Sequence, residues 1–186
     1  MAVAHAGIDG RSSRFFSGER KAWLPQALLW AVTALLIGAH QGAMLRLAFP
    51  VLAILTGFWL YFKSPARYVG FMWWLWFLSP EVRRLADWSK GSYTPTSLIQ
   101  IAPLAVTMIS GLSLLRYYPL LGQRRGLPVL LILAGLAYAF LVGVMSSGPL
   151  AALYDLANWI YPVLIGFHIM AHTRQYPEYR EVIVNT

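Results

Sequence analysis

Apolar residues in this chain occur in runs of roughly 20 residues, and this pattern constrains the fold more than any other feature. Such a run matches the roughly 20 residues that an α-helix needs to cross about 30 Å of hydrocarbon. Charged residues make up only 12% of the chain, against about 25% in typical soluble domains. The sequence therefore predicts an all-α, polytopic integral membrane protein.

We predict six transmembrane helices, although the third apolar run is short. It covers residues 68–78, about 16 Å of helix, and must gain turns at its ends to cross the bilayer. The six-helix domain is expected at 22–171, with spans at 22–39, 44–62, 68–80, 98–115, 127–145 and 150–171. A basic tail at 1–21, expected to be mobile, precedes this domain, and a polar tail at 172–186 follows it.

The first apolar run also has a feature of secretory signal peptides, because basic residues precede it. Residues 22–39 are longer than the usual apolar core of about 7–15 residues. Ile37, Gly38 and Ala39 also make a poor cleavage site. An uncleaved first helix is the preferred interpretation.

The distribution of Lys and Arg predicts the orientation of the chain, because inside loops of membrane proteins carry the excess of these residues. With the N-terminus inside, eleven of the 15 lie in inside segments, and the outside segments hold Arg46, Arg83, Arg84 and Lys90. Both tails are therefore expected to be cytoplasmic. The net charge of +8 is spread over separate short loops, which favours membrane lipid over nucleic acid as the partner.

The Ser-Pro-Glu sequence at 79–81 predicts a helix boundary at the end of the third span. Ser is a favoured N-cap, Pro is tolerated at the first helical position, and an acid in the first turn suits the helix dipole. We therefore expect a new interfacial helix within an outer-face loop at 81–97. Its expected i,i+4 contacts are a salt bridge and a cation–π pair, which join Arg83 to Asp87 and Arg84 to Trp88.

Arg83 and Arg84 follow a span that holds three tryptophans, Trp73, Trp74 and Trp76. One interpretation is a solvated, charged end of a membrane segment. The other is a phosphate site, because arginine binds phosphate bidentately and two arginines on an outer face run against the positive-inside rule. The pair would then hold the pyrophosphate of a lipid-linked substrate while its chain lies along the tryptophans, with Arg46 as a weaker third contact.

The sixth span carries two polar residues, Asp155 and Asn158, on a stripe shared with Pro162 and Gly166. Ionisable residues inside a membrane are costly and often functional. One interpretation is a helix that faces a polar cavity. The other is an interfacial Asp, with its Asn packed against a neighbouring helix. The residues leave both interpretations open.

His168 and His172 form an i,i+4 pair that is able to share a metal ion, but no third ligand is near them in the sequence. Two interfacial histidines are the preferred interpretation. The chain has no cysteine, and no phosphate-cradling glycine loop, Ser-His-Asp set or metal motif is present. We therefore predict no catalytic residue, no metal site and no cofactor.

Residues 49–88, with the Tyr-Thr-Pro sequence at 93–95, resemble the front half of bacterial O-antigen ligase and polymerase-type membrane proteins. These proteins serve exopolysaccharide and lipopolysaccharide assembly. Most of the likeness lies in the Ser-Pro-Ala-Arg turn at 64–67 and in Pro80, Arg83, Arg84, Asp87 and Trp88. The Tyr-Pro-Val-Leu-Ile-Gly-Phe-His sequence at 161–168 adds to it.

This resemblance covers most of residues 40–175 and implies a bacterial inner-membrane protein that handles undecaprenyl-pyrophosphate-linked glycans. Family members are similar in carrying a large periplasmic loop in their second half, with the arginine and histidine of glycosyl transfer. The resemblance therefore implies the N-terminal portion of a glycosyltransferase that uses a lipid-linked donor. Its C-terminal half would be missing or supplied by a partner chain.

A non-catalytic membrane scaffold or accessory subunit of a polysaccharide assembly complex is the alternative function. Gly135, Ala139 and Gly143 form a small-xxx-small ladder, which lets another helix approach closely. A partner membrane protein would dock on that face. A transporter is disfavoured, because no span carries a clear charge relay.

Overall fold

The computed structural model of the chain describes the backbone of residues 9–93 and 97–173, and the side chains of 23–93 and 97–173. Within these residues the structure contains helices and no strand. Short 3-10 helices cover Leu98–Gln100 and Tyr118–Gly122, and the α-helices are α1 (Asp9–Gly38), α2 (Gly42–Lys63), α3 (Pro65–Lys90), α4 (Ile101–Ile109), α5 (Gly111–Arg116), α6 (Leu127–Ser147) and α7 (Pro149–Ala171). The outer parts of the two predicted tails, 1–8 and 174–186, lie outside the described residues.

Four stretches of the described residues are long and apolar enough to cross a membrane. They are Gly42–Lys63, Leu98–Arg116, Leu127–Ser147 and Pro149–Ala171, while Trp23–Gly38 is a shorter apolar helix. The all-α, polytopic membrane fold is therefore confirmed. The number of six spans and the cytoplasmic placement of both termini stay predictions.

The first helix begins at Asp9, well before the predicted start at residue 22. Residues 9–21 of the predicted tail are therefore helical, and their mobility stays a prediction. This segment contains three arginines, one glutamate and one lysine, which are residue types with favourable helix propensity. The helix consequently extends beyond the apolar run towards the N-terminus.

The third helix runs without a break through the boundary predicted after the third span. The prediction of a helix end there is wrong, because Pro80 lies inside α3 and Ser79 is a buried helical residue, not an N-cap. Val82 and Ala86 are buried as well, so the packed face of α3 continues beyond Pro80. Burial of this face offsets the backbone hydrogen bond that proline removes.

The segment predicted as an outer-face loop, 81–97, is helical for its first half. α3 ends at Lys90, and Gly91 follows it in the left-handed conformation with φ of 69°. Glycine commonly ends helices in this way, because it has no Cβ to clash. The helical part of this segment therefore ends at Lys90.

The second and third helices pack side by side in opposite directions. Gly42 at the start of α2 meets Ala86 near the end of α3, while Tyr61 and Tyr68 meet at the other end. A Cβ on Gly42 would lie 2.5 Å from the Ala86 carbonyl oxygen. Glycine at this position therefore lets the two backbones touch, and the α2–α3 hairpin carries a polar cluster at each end.

The core lies between α1, α2, α3 and the α4 segment. Its largest contributions come from α2 and α3, and include Leu45, Phe49, Phe71, Met72 and Leu75. Ile165 and Ile169 of α7 pack against this core from one side. By contrast, α6 has no buried residue and packs mainly against α7.

The predicted fourth span, 98–115, consists of separate helical pieces. Thr107 Oγ1 donates to the Pro103 carbonyl oxygen at 2.7 Å, and Ser110 Oγ donates to the Thr107 carbonyl oxygen at 2.6 Å. Such side-chain bonds to the backbone compete with regular helix. They accompany the break between α4 and α5 at Ser110.

Candidate functional site

Three charged side chains meet where the start of α2 crosses the end of α3. Arg46 Nη2 donates to Asp87 Oδ1 at 2.6 Å, and Arg83 Nε lies 3.9 Å from Asp87 Oδ2. These side chains are only 12% to 15% exposed, so water screens their charges less than on an open surface. The predicted i,i+4 salt bridge between Arg83 and Asp87 is confirmed.

Tyr93 contacts the same arginine from another direction. Arg83 Nη2 donates to the Tyr93 hydroxyl at 3.0 Å, and its guanidinium carbon lies 5.2 Å from the centroid of the tyrosine ring. Both distances fall in the ranges of real hydrogen bonds and cation–π contacts. The guanidinium of Arg83 is therefore held between a carboxylate and an aromatic ring before any ligand arrives.

Arg84 has a different environment, because its side chain is 76% exposed. Its Nη1 donates to Glu81 Oε1 at 2.8 Å, one turn earlier on the helix. The predicted cation–π contact with Trp88 is wrong, and Trp88 lies instead near His40, with ring centroids 6.2 Å apart. An exposed ion pair of this kind contributes little to stability, so Arg84 can exchange Glu81 for another anion at small cost.

A pocket of about 440 Å³ opens at this end of α3. Its lining combines two guanidinium groups with hydroxyl, amide and carboxylate groups, and consists of Pro80, Arg83, Arg84, Asp87, Tyr93 and Gln100. The volume lies within the range of small-molecule sites, about 300–1,000 Å³. Two arginine forks with a phenol and an amide form a donor set that suits an oxyanion such as phosphate.

Arg46 is grouped with Arg83 and Arg84 by the sequence, and the structure brings Arg46 and Arg83 together at Asp87, while Arg84 pairs with Glu81. It gives Arg46 a different place, however, since Arg46 contacts the Asp87 carboxylate and is not among the residues that line the pocket. Arg46 therefore reaches the pocket wall through its contact with Asp87. The prediction that Arg46 is a weaker direct contact of the ligand stays a prediction.

One face of α3 continues from the pocket into the apolar part of the helix. Its members follow the spacing of three and four residues that places side chains on one helical face, and they are Trp73, Trp76, Phe77, Pro80, Arg83, Arg84 and Asp87. The three aromatic side chains are exposed. The α3 stripe, as we name these seven residues, therefore changes from aromatic to cationic along a single helix.

A second polar cluster lies at the opposite end of the α2–α3 hairpin. His168 of α7 is wholly buried, its Nδ1 lies 2.7 Å from Ser113 Oγ, and that oxygen lies 3.0 Å from the Tyr61 hydroxyl. The ring centroids of Tyr61 and Tyr68 lie 5.4 and 5.1 Å from that of the imidazole. This neutral cluster joins α7 to the rest of the bundle.

The sequence pattern indicates two interfacial histidines and misses this cluster. His168 is an interior residue, while His172 is partly exposed, with its Nδ1 2.8 Å from the His168 carbonyl oxygen. The i,i+4 spacing of the pair gives no hint of burial, because Ser113 is 55 residues away in sequence. Over the described residues, His, Asp and Glu side chains do not gather in threes as a metal site requires.

Asp155 and Asn158 lie on the exposed side of α7, together with Pro162 and Gly166. The polar-cavity interpretation of this stripe stays a prediction. The alternative, an interfacial Asp with its Asn packed against a neighbouring helix, stays a prediction as well. The two residues are separate from the cluster around Asp87.

Comparison of the chain with protein-family models, with curated proteins and with solved structures gives no match. The resemblance to O-antigen ligase and polymerase-type proteins therefore stays a prediction. The structure contains an arginine-lined pocket at one end of a bundle of membrane helices.

Proposed function

We propose that the chain binds the pyrophosphate of a lipid-linked glycan, as an inner-membrane protein of the O-antigen polymerase or ligase type. The observation that carries the proposal is the α3 stripe, which changes from exposed aromatic rings to two arginines. A lipid with an anionic headgroup has the same order of polarity along its length. The proposal concerns binding of the donor, and it assigns no described residue to glycosyl transfer.

The headgroup end of the stripe offers two complementary arginines. Arg83 is already fixed by Asp87 and Tyr93, so less side-chain entropy is lost when it binds an oxyanion. Arg84 is exposed and able to close over the ligand. The two forks can donate to oxygens on both phosphates, and Gln100 in the pocket wall supplies a further donor.

The aromatic end of the stripe offers a firm apolar surface for the lipid chain. The rings of Trp73 and Phe77 stack with centroids 6.2 Å apart. Trp76 Nε1 donates to Thr107 Oγ1 at 3.2 Å, which fixes its indole against α4. Large, restrained aromatic side chains bind apolar groups with a small loss of conformational entropy.

The test measures binding of a polyprenyl pyrophosphate to the purified full chain in lipid nanodiscs, with the uncharged polyprenol for comparison. We expect Arg84→Ala to weaken pyrophosphate binding about tenfold or more, because charge-assisted hydrogen bonds are lost. Arg83→Lys should weaken it as well, since lysine keeps the charge without the fork.

The matched control is Arg116→Ala, because Arg116 is an exposed arginine at the other end of the bundle. This change should leave pyrophosphate binding unaltered. Equal affinity of the wild type, the Arg84→Ala variant and the Arg83→Lys variant would reject the proposal. So would equal binding of the uncharged polyprenol.

A non-catalytic scaffold is the second candidate function, and the exposure of α6 favours it. A Cβ on Gly143 would lie 3.2 Å from the Cβ of Ala152, so this rung of the ladder already faces α7. Gly135 and Ala139 are exposed. If they receive a partner helix, Gly135→Leu should abolish copurification of that partner without changing pyrophosphate binding, whereas unchanged copurification would exclude this face.

A further inference from the structure

We propose that the pocket at the end of α3 also binds the first sugar of the glycan, and that Gln100 recognises a hydroxyl group of that sugar. The inference rests on the proposed function, because it names a further part of the same ligand. It accounts for the neutral hydrogen-bonding groups that line the pocket beside the arginines.

The pocket wall contains a group that a pyrophosphate cannot fully use. A pyrophosphate offers acceptor oxygens, so it is matched by donors such as Arg83 and Arg84. The same wall contains the Gln100 side chain, and its amide has an accepting oxygen as well as a donating NH₂ group. A hydroxyl group donates and accepts, and the hydroxyl groups of a lipid-linked glycan begin at the sugar bonded to the pyrophosphate. The amide oxygen is therefore matched by the sugar.

Gln100 is available for such a contact. It ends the 3-10 helix Leu98–Gln100, and the residue is exposed. Its backbone N–H donates to the Ser97 carbonyl oxygen at 3.1 Å. Its side-chain amide makes no hydrogen bond to any other residue that the structure describes. A ligand in the pocket can therefore use both ends of the amide, with the NH₂ group towards a phosphate oxygen and the amide oxygen towards a hydroxyl.

Tyr93 supplies a second neutral group to the wall. Its hydroxyl accepts a hydrogen bond from Arg83 Nη2 at 3.0 Å, and a phenol that accepts in this way still has its own proton to donate. The residue is 77% exposed, so much of its ring is not covered by protein. Tyr93 therefore offers an apolar surface and a donor together, which suits the C–H groups and the oxygens of a pyranose ring.

The size of the pocket suits a ligand that is larger than a pyrophosphate. Its volume of about 440 Å³ corresponds to about 15 molecules of liquid water. The phosphorus and oxygen atoms of a pyrophosphate fill only part of that space. Among the described residues, the aromatic side chains of the α3 stripe do not line the pocket, so the remaining space does not belong to the lipid chain. It suits a polar group next to the pyrophosphate.

The test compares two kinds of probe with the same charge on the full chain in nanodiscs. One is a polyprenyl pyrophosphate that carries a single hexose, prepared with glucose and separately with galactose. The other is the methyl ester of the same polyprenyl pyrophosphate, which keeps the charge of the diester but has no hydroxyl group. We expect the wild type to bind at least one glycosylated probe about three- to tenfold more tightly than the methyl ester, the effect of one neutral hydrogen bond.

Gln100→Leu should remove this preference, because leucine has no polar atom in its side chain. Both probes lose the same donor to phosphate, so the ratio of their affinities reports the sugar contact. Gln100→Glu keeps an accepting oxygen and should retain the preference, although its negative charge weakens binding of both probes. Gln123→Leu is the matched control, because Gln123 is an exposed glutamine beyond the opposite end of the Leu98–Arg116 stretch. It should behave like the wild type.

Equal affinity of the wild type for the methyl ester and for both glycosylated probes overturns the inference. A wild-type ratio in a folded Gln100→Leu variant does so too, as does an equal fall of the ratio in Gln123→Leu. Loss of the preference in Gln100→Glu would show that the accepting oxygen does not recognise the sugar. If Gln100→Leu does not fold, Gln100→Ala removes the same oxygen and takes its place in the test.

Arg84→Ala in the same assay separates this inference from the proposed function. It should weaken binding of both probes alike and leave their ratio unchanged. If it does so while the wild type shows no preference for a glycosylated probe, only the role of Gln100 fails. If Arg84→Ala leaves binding of both probes intact, the proposed function fails and the inference falls with it.

Discussion

The two ends of the α2–α3 hairpin carry polar clusters of different chemistry. At one end Arg46, Arg83 and Asp87 bring full charges together beside a pocket. At the other end His168 and Ser113 form a neutral, wholly buried hydrogen-bonded pair. The two clusters are separated along α2 by about 22 Å, so one pair of helices supports both.

The two polar clusters differ in burial, and this difference suits one of them to ligand binding and the other to holding helices together. Beside the charged cluster, the exposed ion pair of Arg84 with Glu81 can exchange partners with an incoming anion at small cost. The neutral cluster has no such exchange available, because breaking it would leave buried polar atoms without hydrogen bonds. The first end is therefore suited to binding, and the second to fastening α7 onto the bundle.

The largest expected effect comes from His168→Ala at the buried end. The change leaves a cavity and removes the partner of Ser113, so we expect a loss of about 3 to 5 kcal/mol in the free energy of unfolding. The measurement is unfolding of the purified protein by SDS titration, followed by tryptophan fluorescence. His172→Ala, at a partly exposed position, should lose far less, and equal losses would contradict the distinction between the two ends.

Gly42→Ala is expected to have the next largest effect, at the charged end. The new Cβ would meet the Ala86 carbonyl oxygen at 2.5 Å, so the helices must separate, at about 1 to 3 kcal/mol. Pyrophosphate binding should weaken too, because Arg46 and Asp87 sit on the separated helices. Gly38→Ala is the control, since nothing lies within 4 Å of its Cβ position, and the same SDS titration should find it near wild type.

Arg46→Ala should destabilise the chain by about 1 to 2 kcal/mol, between the values for exposed and fully buried ion pairs. Asp87 would then turn towards Arg83, so pyrophosphate affinity should fall as well. Arg46→Lys retains the charge and should recover most of the stability. Full pyrophosphate binding in a folded Arg46→Ala variant would show that Arg46 does not position Asp87.

Arg84→Ala is expected to have the smallest effect on stability, within about 0.5 kcal/mol, because its ion pair is exposed. The affinity of this variant for pyrophosphate should nevertheless fall. A loss of affinity without a loss of stability would show that Arg84 serves ligand binding and not the packing of the helices. Thermal unfolding and lipid binding are measured on the same preparation. A large loss of stability would instead show that Arg84, like His168, stabilises the packing of the helices.

The membrane fold and its helices follow from the sequence because apolar length is a local property. The predicted spans at 44–62, 127–145 and 150–171 each lie within a single helix of the structure. The boundary at 79–81 could not be predicted correctly, since capping signals are local whereas burial of Val82 and Ala86 depends on α2.

Only part of the candidate site could be predicted from the sequence. Arg83 and Arg84 stand out as paired cations after an aromatic run, and Arg83 with Asp87 is a local pair on one helix. The contact of Arg46 with Asp87 joins residues that are 41 apart in sequence. His168 and Ser113 are 55 apart in sequence. Arg46 and Asp87 carry opposite charges and lie near the same predicted membrane face. This pattern is the sequence signal from which their contact could have been predicted.

The lack of any buried residue in α6 has a consequence for how this chain can diverge. When the side chains of a helix contact mostly lipid acyl chains, selection acts on their hydrophobicity and on the length of the helix, and not on the shapes of the side chains. Leu, Ile, Val and Phe should therefore interchange freely over most of Leu127–Ser147, while Gly143 stays small where it meets Ala152. Sequence drift in distant versions of this protein should accumulate there first.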